Sequence, residues 1–352
     1  MKRSGITAAG TWIVDYTKVI SQFPHEGTCT SVLDETVDNG GAPYNLLVDL
    51  CRLGASFPLR AVGRIGHDLD GASILKDCRA HHFDTAGLQV TPEASTSFSD
   101  VMVTRETGVR TSFNHAGANA LLTVDDVDFR RDPSRLFYLG TLFFMEALDA
   151  PDSRHGTRAA ALLATARKHG LKTCVDIERT NLPPALFEAG GRAALKQTDL
   201  VILNVEVAEA LSGVRIRYPA GVEIAAAESA ARALQSLGSA ERVIIRFPTG
   251  AIGLGGDGSI ATEGSVKLPK ARVVSAAGAG HAFAAGVLYG CHEEWELSEC
   301  LRAGHAAAAA CLRDKTASGG ITTLDACLKL LDKYGQREMG EAAGRPSLSA
   351  VV

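Results

Sequence analysis

The residues of this chain best placed for chemistry lie in Ala276-Ala277-Gly278-Ala279-Gly280-His281-Ala282-Phe283-Ala284-Ala285-Gly286. Glycine lets the backbone N–H groups of a turn, and of the helix that follows, face an anion with no Cβ in the way. The helix start adds partial positive charge at the same point. Gly278, Ala279 and Gly280 therefore have the makings of an anion hole. His281 follows directly, and a neutral imidazole there can accept a proton from a hydroxyl; the plainer alternative is an inert histidine that fills the start of a helix.

A second constellation is Asn39-Gly40-Gly41-Ala42-Pro43-Tyr44-Asn45. A Gly-Gly pair ahead of a helix admits a ligand close to the backbone, and the Asn45 amide offers both a donor and an acceptor to a hydroxyl. Polyols need such two-way partners. Read alone, the string is also an ordinary tight turn before a helix. Asp15 is the third candidate, at the carboxyl end of the first expected strand, where ligands of open parallel sheets bind and where a carboxylate can accept from two hydroxyls. An aspartate at a strand end is otherwise a turn former.

Positioning these groups falls to an alternation of strands and helices. The pattern predicts a strand over residues 6–15, a helix over 45–53 stopped by Gly54, and a strand over 55–62. Further strands are expected over 136–139, 171–177, 199–203 and 242–247, with helices over 154–169 (stopped by Gly170), 205–211 and 224–237. Such alternation specifies an α/β fold with a mostly parallel sheet buried on both faces. Two segments break it: residues 16–38 are polar and turn-rich, and the alternating runs 97–104 and 109–115 flank Glu106-Thr107-Gly108 as a hairpin. Residues 16–38 and 97–116 are thus expected to form a small β lid on a body made of 1–15, 39–96 and 117–335. Residues 336–352 read as a flexible tail.

Composition narrows the function classes. The 352 residues are 46% hydrophobic and 22% charged, values of an ordinary globular protein, and the net charge of −4 comes with no long Lys/Arg run. Neither nucleic acid nor an anionic membrane is an expected partner. The N-terminus lacks the apolar core of a signal peptide and no apolar stretch reaches the ~20 residues of a membrane span, so a cytoplasmic protein is expected. Eight cysteines without a Cys-x-x-Cys pair suggest neither a zinc site nor a disulfide framework.

The motifs, taken in order over residues 6–330, resemble the ribokinase-like (PfkB) sugar kinases. Gly-Gly-Ala-x-x-Asn at Gly40 to Asn45 is similar to the first signature of that family, and Ser275 to Phe283 to the second, Asp-Thr-x-Gly-Ala-Gly-Asp-Ala-Phe; Gly117-Ala118-Asn119-Ala120 looks like the return from its lid. The resemblance implies a three-layer α/β/α fold with a mostly parallel sheet and a small β lid, and transfer of the ATP γ-phosphate to a hydroxyl of a sugar or sugar-like substrate, with Mg²⁺. It places the substrate at Asp15, Gly40, Gly41 and Asn45, and the nucleotide at Asn204, Thr249, Gly250 and His305, the last also readable as a helix-packing residue. The apolar faces of the lid strands need cover, so a homodimer joined through the lid is expected as well. The departures lie in the transfer half: His281 stands at the position of the catalytic Asp and Ser275 at the first acidic position. Glu178 of Asp176-Ile177-Glu178 adds a carboxylate, and Pro248 removes a backbone donor. Val207 replaces the glutamate of Asn-x-x-Glu, leaving Glu206 as the only neighbouring candidate for the metal. A catalytically inactive sugar- or nucleotide-binding protein on the kinase fold is the alternative.

Overall fold

The computed structural model describes residues 3–178, 181–218 and 221–339. Its centre is a nine-stranded sheet in the order Ile260–Gly264, Gly250–Gly255, Arg242–Phe247, Leu200–Asn204, Lys172–Ile177, Leu136–Leu142, Ile6–Gly10, Leu59–Gly66, Asp84–Thr91. Seven neighbouring strands, from Arg242–Phe247 to Asp84–Thr91, run parallel, and the other two continue the sheet as an antiparallel edge. Helices cover both faces because the inner strands are apolar on both sides: Ile6–Gly10 and Leu136–Leu142 are buried at every residue.

On one face the core is closed by helices Ala42–Arg52, Leu69–Ala80, Ala279–His292, Leu297–Cys311 and Leu324–Tyr334. Arg158–Lys168, Pro184–Leu195, Val205–Ser212 and Ile224–Gln235 close the other. Leu46, Leu47 and Leu50 of Ala42–Arg52 are fully buried, each stabilising the fold by about 1.5–3 kcal/mol. That packing fixes the helix whose first turn carries Asn45.

The expected strand over residues 6–15 divides in two. Gly10 has φ 135°, and a side chain there would run into the Gly140 carbonyl, so the chain leaves the main sheet at Thr11. Trp12 anchors the exit: its indole N–H donates to the Val62 carbonyl at 2.8 Å, and its backbone N–H donates to Asn119 Oδ1 at 3.0 Å. Asp15 accordingly belongs to the next strand, Ile13–Ile20, and not to the end of the first.

Ile13–Ile20 is part of a four-stranded sheet ordered Val32–Gly40, Ile13–Ile20, Ser97–Thr104, Arg110–His115. Its central pair is parallel and the outer pairs antiparallel. Val32, Val37 and Phe113 are each more than half exposed on it. Of the residues expected to form the tail, Gln336 bridges to Val266, and the Arg337 N–H donates to the Ser265 carbonyl at 2.8 Å. The rest of that expectation, residues 340–352, lies outside the described residues. Among the described residues no helix is long and apolar enough to cross a membrane.

Candidate active site

The glycine turn opens helix Ala279–His292. Gly278 is left-handed, φ 76°, and a Cβ there would sit 2.7 Å from Ala317 Cα, so only glycine fits. The turn delivers His281 into the first helical turn, between two groups from other elements. Its Nε2 is 3.8 Å from Asp176 Oδ2, and its Nδ1 is 3.5 Å from Asn45 Nδ2. Asp176, near the end of strand Lys172–Ile177, accepts from Thr141 Oγ1 at 3.1 Å.

Charge in this cluster is tightly balanced. Burial pushes the His281 pKa down, but Asp176, Glu178 and Asp49 outweigh it and the net shift is upward. Asp176 moves the other way: burial would raise its pKa, yet His281, Thr141 and Arg246 hold it below the usual carboxylate range. Glu178 is raised, by burial first and then by the charge on Asp176. One ligand atom each from Asp176, Glu178 and His281 lie within 4.8 Å of one another. A nitrogen with two carboxylate oxygens is a donor set for first-row transition metals more than for Mg²⁺, which favours oxygen and water.

Asp15, Gly40, Gly41 and Asn45 come together beside His281. A Cβ added at Gly40 would sit 3.3 Å from the Asp15 carboxyl carbon, and Gly41, φ 97°, has no room for a side chain against Thr11 and Trp12. Burial raises the Asp15 pKa to about 6; Asp38 adds to the shift, while Arg110, His281 and Ser99 oppose it. Asn45 is 7% exposed, and its Oδ1 is buried without a hydrogen-bond partner among the described residues. An orphaned buried acceptor costs about 1–3 kcal/mol, which a ligand hydroxyl would recover.

Three further groups in the site were missed by sequence reasoning. Asp49 lies one helical turn after Asn45 on the same face, a spacing that was legible. It is fully buried, and burial pushes its pKa up to about 8 against the opposing influence of Ser318, His281 and Arg52. Arg246, at the end of strand Arg242–Phe247, lies against Gly280: a Cβ there would be 3.0 Å from the guanidinium carbon. Desolvation lowers the Arg246 pKa, while Asp176, Glu178 and Tyr138 raise it. The Tyr138 hydroxyl is buried without a hydrogen-bond partner among the described residues, its pKa well above the ordinary value through burial.

The groups expected to serve nucleotide and metal make the following contacts within the chain. Asn204 spends its side-chain oxygen capping helix Val205–Ser212, accepting from the Val207 N–H at 2.9 Å. Val207 is fully buried. Glu206 does not join the cluster: its carboxylate pairs with Arg217 at 2.7 Å and lines a surface cleft of about 750 Å³. The reason is rotational, since adjacent helical residues point about 100° apart. The expected Glu206 metal ligand is thereby corrected. Thr249 and Gly250 form the turn into the antiparallel edge strand, where the Thr249 carbonyl accepts from the Ser265 N–H at 2.9 Å. His305 is 4% exposed, packs edge-on to Phe283 with centroids 5.0 Å apart, and has its pKa pushed down to about 4 by burial. That is the helix-packing role. The Ser275 hydroxyl accepts from the Ala277 N–H at 3.1 Å, bracing the glycine turn.

Several known proteins are similar to this chain. A ribokinase of Staphylococcus aureus is 24% identical over 212 residues, 60% of this chain and 64% of its own length. A 5-dehydro-2-deoxygluconokinase of Clostridium perfringens is 21% identical over 319 residues, 87% of each chain. The solved ribokinase of Arabidopsis thaliana, complexed with ribose and ATP, superposes with a TM-score of 0.74 at 20% identity, covering 94% of this chain and 99% of that one. The Giardia lamblia ribokinase superposes at 0.77 with 18% identity, covering 94% and 99%. These structures establish the ribokinase fold. Residues 10–324, which carry both glycine motifs and every strand between them, match the pfkB family carbohydrate kinases, and the chain belongs to that family.

Proposed function

We propose that this family member phosphorylates a hydroxyl of a sugar or sugar-like polyol with ATP, holding the acceptor between Asp15, Gly40, Gly41 and Asn45 and the transferring phosphoryl at Gly278, Ala279 and Gly280. The observation that carries the reading is the meeting of Asn45, with its orphaned buried Oδ1, and His281 at the glycine turn. Asp15 accepts from substrate hydroxyls in its ionised form, and Asn45 Oδ1 accepts from another.

His281 takes the place of the acidic base. Asp176 faces Nε2 and favours the tautomer with the proton there, which leaves the Nδ1 lone pair on the Asn45 side for the acceptor hydroxyl. As the oxygen attacks the γ-phosphorus, its proton passes to Nδ1, the bond from phosphorus to the ADP oxygen breaks, and the imidazolium is stabilised by Asp176. The small sheet is proposed as the lid that excludes water, and its exposed Val32, Val37 and Phe113 as the contact of a homodimer. A cytoplasmic location fits ATP as donor.

Calorimetry with ATP and a sugar panel, run beside an ADP-release assay, tests the reading. Wild type is expected to bind one sugar class and release ADP only in its presence, and Asn45→Ala to weaken the sugar by about 5–150-fold, the equivalent of 1–3 kcal/mol. Unaltered sugar affinity in Asn45→Ala would refute the site assignment. Sugar and ATP binding without ADP release would select a binding protein instead.

A further inference from the structure

We infer that Arg246 supplies the positive charge at the phosphoryl group that a divalent metal would otherwise supply, so that this chain binds the triphosphate of ATP without needing Mg²⁺. The inference rests on the proposed kinase reading and names the group that holds its donor. Three observations carry it.

The first is placement. Arg246 reaches from the end of its strand to the glycine turn, with its guanidinium beside Gly280. Among the described residues Arg246 is the cation whose guanidinium lies against Gly280, and its planar fork matches phosphate geometry in a way a lysine does not. The second is availability. Among the described residues Arg246 makes no hydrogen bond and no ion pair, although Asp176 and Glu178 lie near enough to stabilise its charge. The carboxylates hold the guanidinium in the site without consuming its donors. The third is the fate of the metal groups: Asn204 is committed to a helix cap, Glu206 to Arg217, and Val207 is apolar and buried. The remaining donor set, Asp176, Glu178 and His281, contains a nitrogen that a hard cation does not favour, and its charge is already opposed by Arg246.

Titration calorimetry of ATP into the full chain, in EDTA and then in excess Mg²⁺, tests this, with Arg246→Met and Arg246→Gln as variants, both of which remove the charge and leave the glycine turn intact. Wild type is expected to bind ATP with affinities within about threefold in the two buffers. Both variants are expected to lose at least ~10-fold in EDTA, the scale of a charge-assisted hydrogen bond, while sugar affinity stays unchanged. Should Arg246→Met fail to fold, the same loss is read from Arg246→Gln. Binding of ATP to wild type only in Mg²⁺, or undiminished binding in EDTA by a folded variant, overturns the role of Arg246 and leaves the kinase reading standing. Failure of wild type to bind ATP in either buffer overturns both.

Discussion

If Asp15 holds the sugar as proposed, its burial sets the direction in which binding depends on pH. Its pKa is raised to about 6 from an ordinary 3.8, so the carboxylate that accepts from substrate hydroxyls is only about one part in eleven ionised at pH 5 and ten parts in eleven at pH 7. If the ionised form binds the sugar, affinity falls about tenfold between pH 7 and pH 5, equivalent to ~1.4 kcal/mol. The linkage to folding has the opposite sign to that of an ordinary paired carboxylate: the folded state holds the Asp15 proton more tightly than the unfolded one, so stability declines as pH rises from about 4 to about 6. Bound sugar offsets that decline. Calorimetry of the best-bound sugar from pH 5 to 8 supplies the profile, and Asp15→Asn, which cannot ionise, separates Asp15 from His281. The expected outcome is a rise through pH ~6 in wild type and a flat, weaker profile in Asp15→Asn. A flat profile in wild type, or an unchanged slope in the variant, would refute the reasoning.

Asp49 is fully buried with a folded pKa of about 8 against 3.8 unfolded, so stability is lost as pH climbs between those values. Asp49→Asn removes the burden and should raise stability at pH 7 by up to about 4 kcal/mol, read as a higher Tm with less pH dependence between 5 and 8; a lower Tm at pH 8 contradicts the assignment. His281→Ala should lower turnover ~10²–10⁴-fold, and His281→Asp should not restore it, because Asp176, Glu178 and Asp49 surround that position with acid. Full activity in His281→Asp would show that the acidic surroundings do not matter. By light scattering the wild type is expected to form the proposed dimer and Val37→Asp, on the exposed face of the small sheet, a monomer; a monomeric wild type at high concentration removes the dimer.

The fold was legible because each unit is punctuated locally: Gly54 and Gly170 follow helices, and residues 242–247 form the strand the apolar run specified. The break at Thr11 was not, since it depends on the Gly140 carbonyl, 129 residues away in sequence. The clustering of Gly40, Gly41 and Asn45, the proposed sugar side, was legible as well, for they share one turn and one helix start. Arg246 was not legible, because only the packing of strand Arg242–Phe247 against the Gly278–Gly280 turn, 34 residues later in sequence, joins it to the site. Glu206 shows the converse failure. Its residue type suited a metal, but its side chain leaves the helix on the wrong face and finds Arg217.

The central claim is that a polyol bound by Asp15 and Asn45 receives a phosphoryl group beside His281. Mass spectrometry of a reaction of wild type with ATP and the best-bound sugar tests it most directly. The account predicts one phosphorylated sugar for each ADP formed, with both lost together in His281→Ala while sugar binding persists. Saturating sugar and ATP that yield ADP without phosphosugar, or a phosphosugar yield unaffected by His281→Ala, would contradict it.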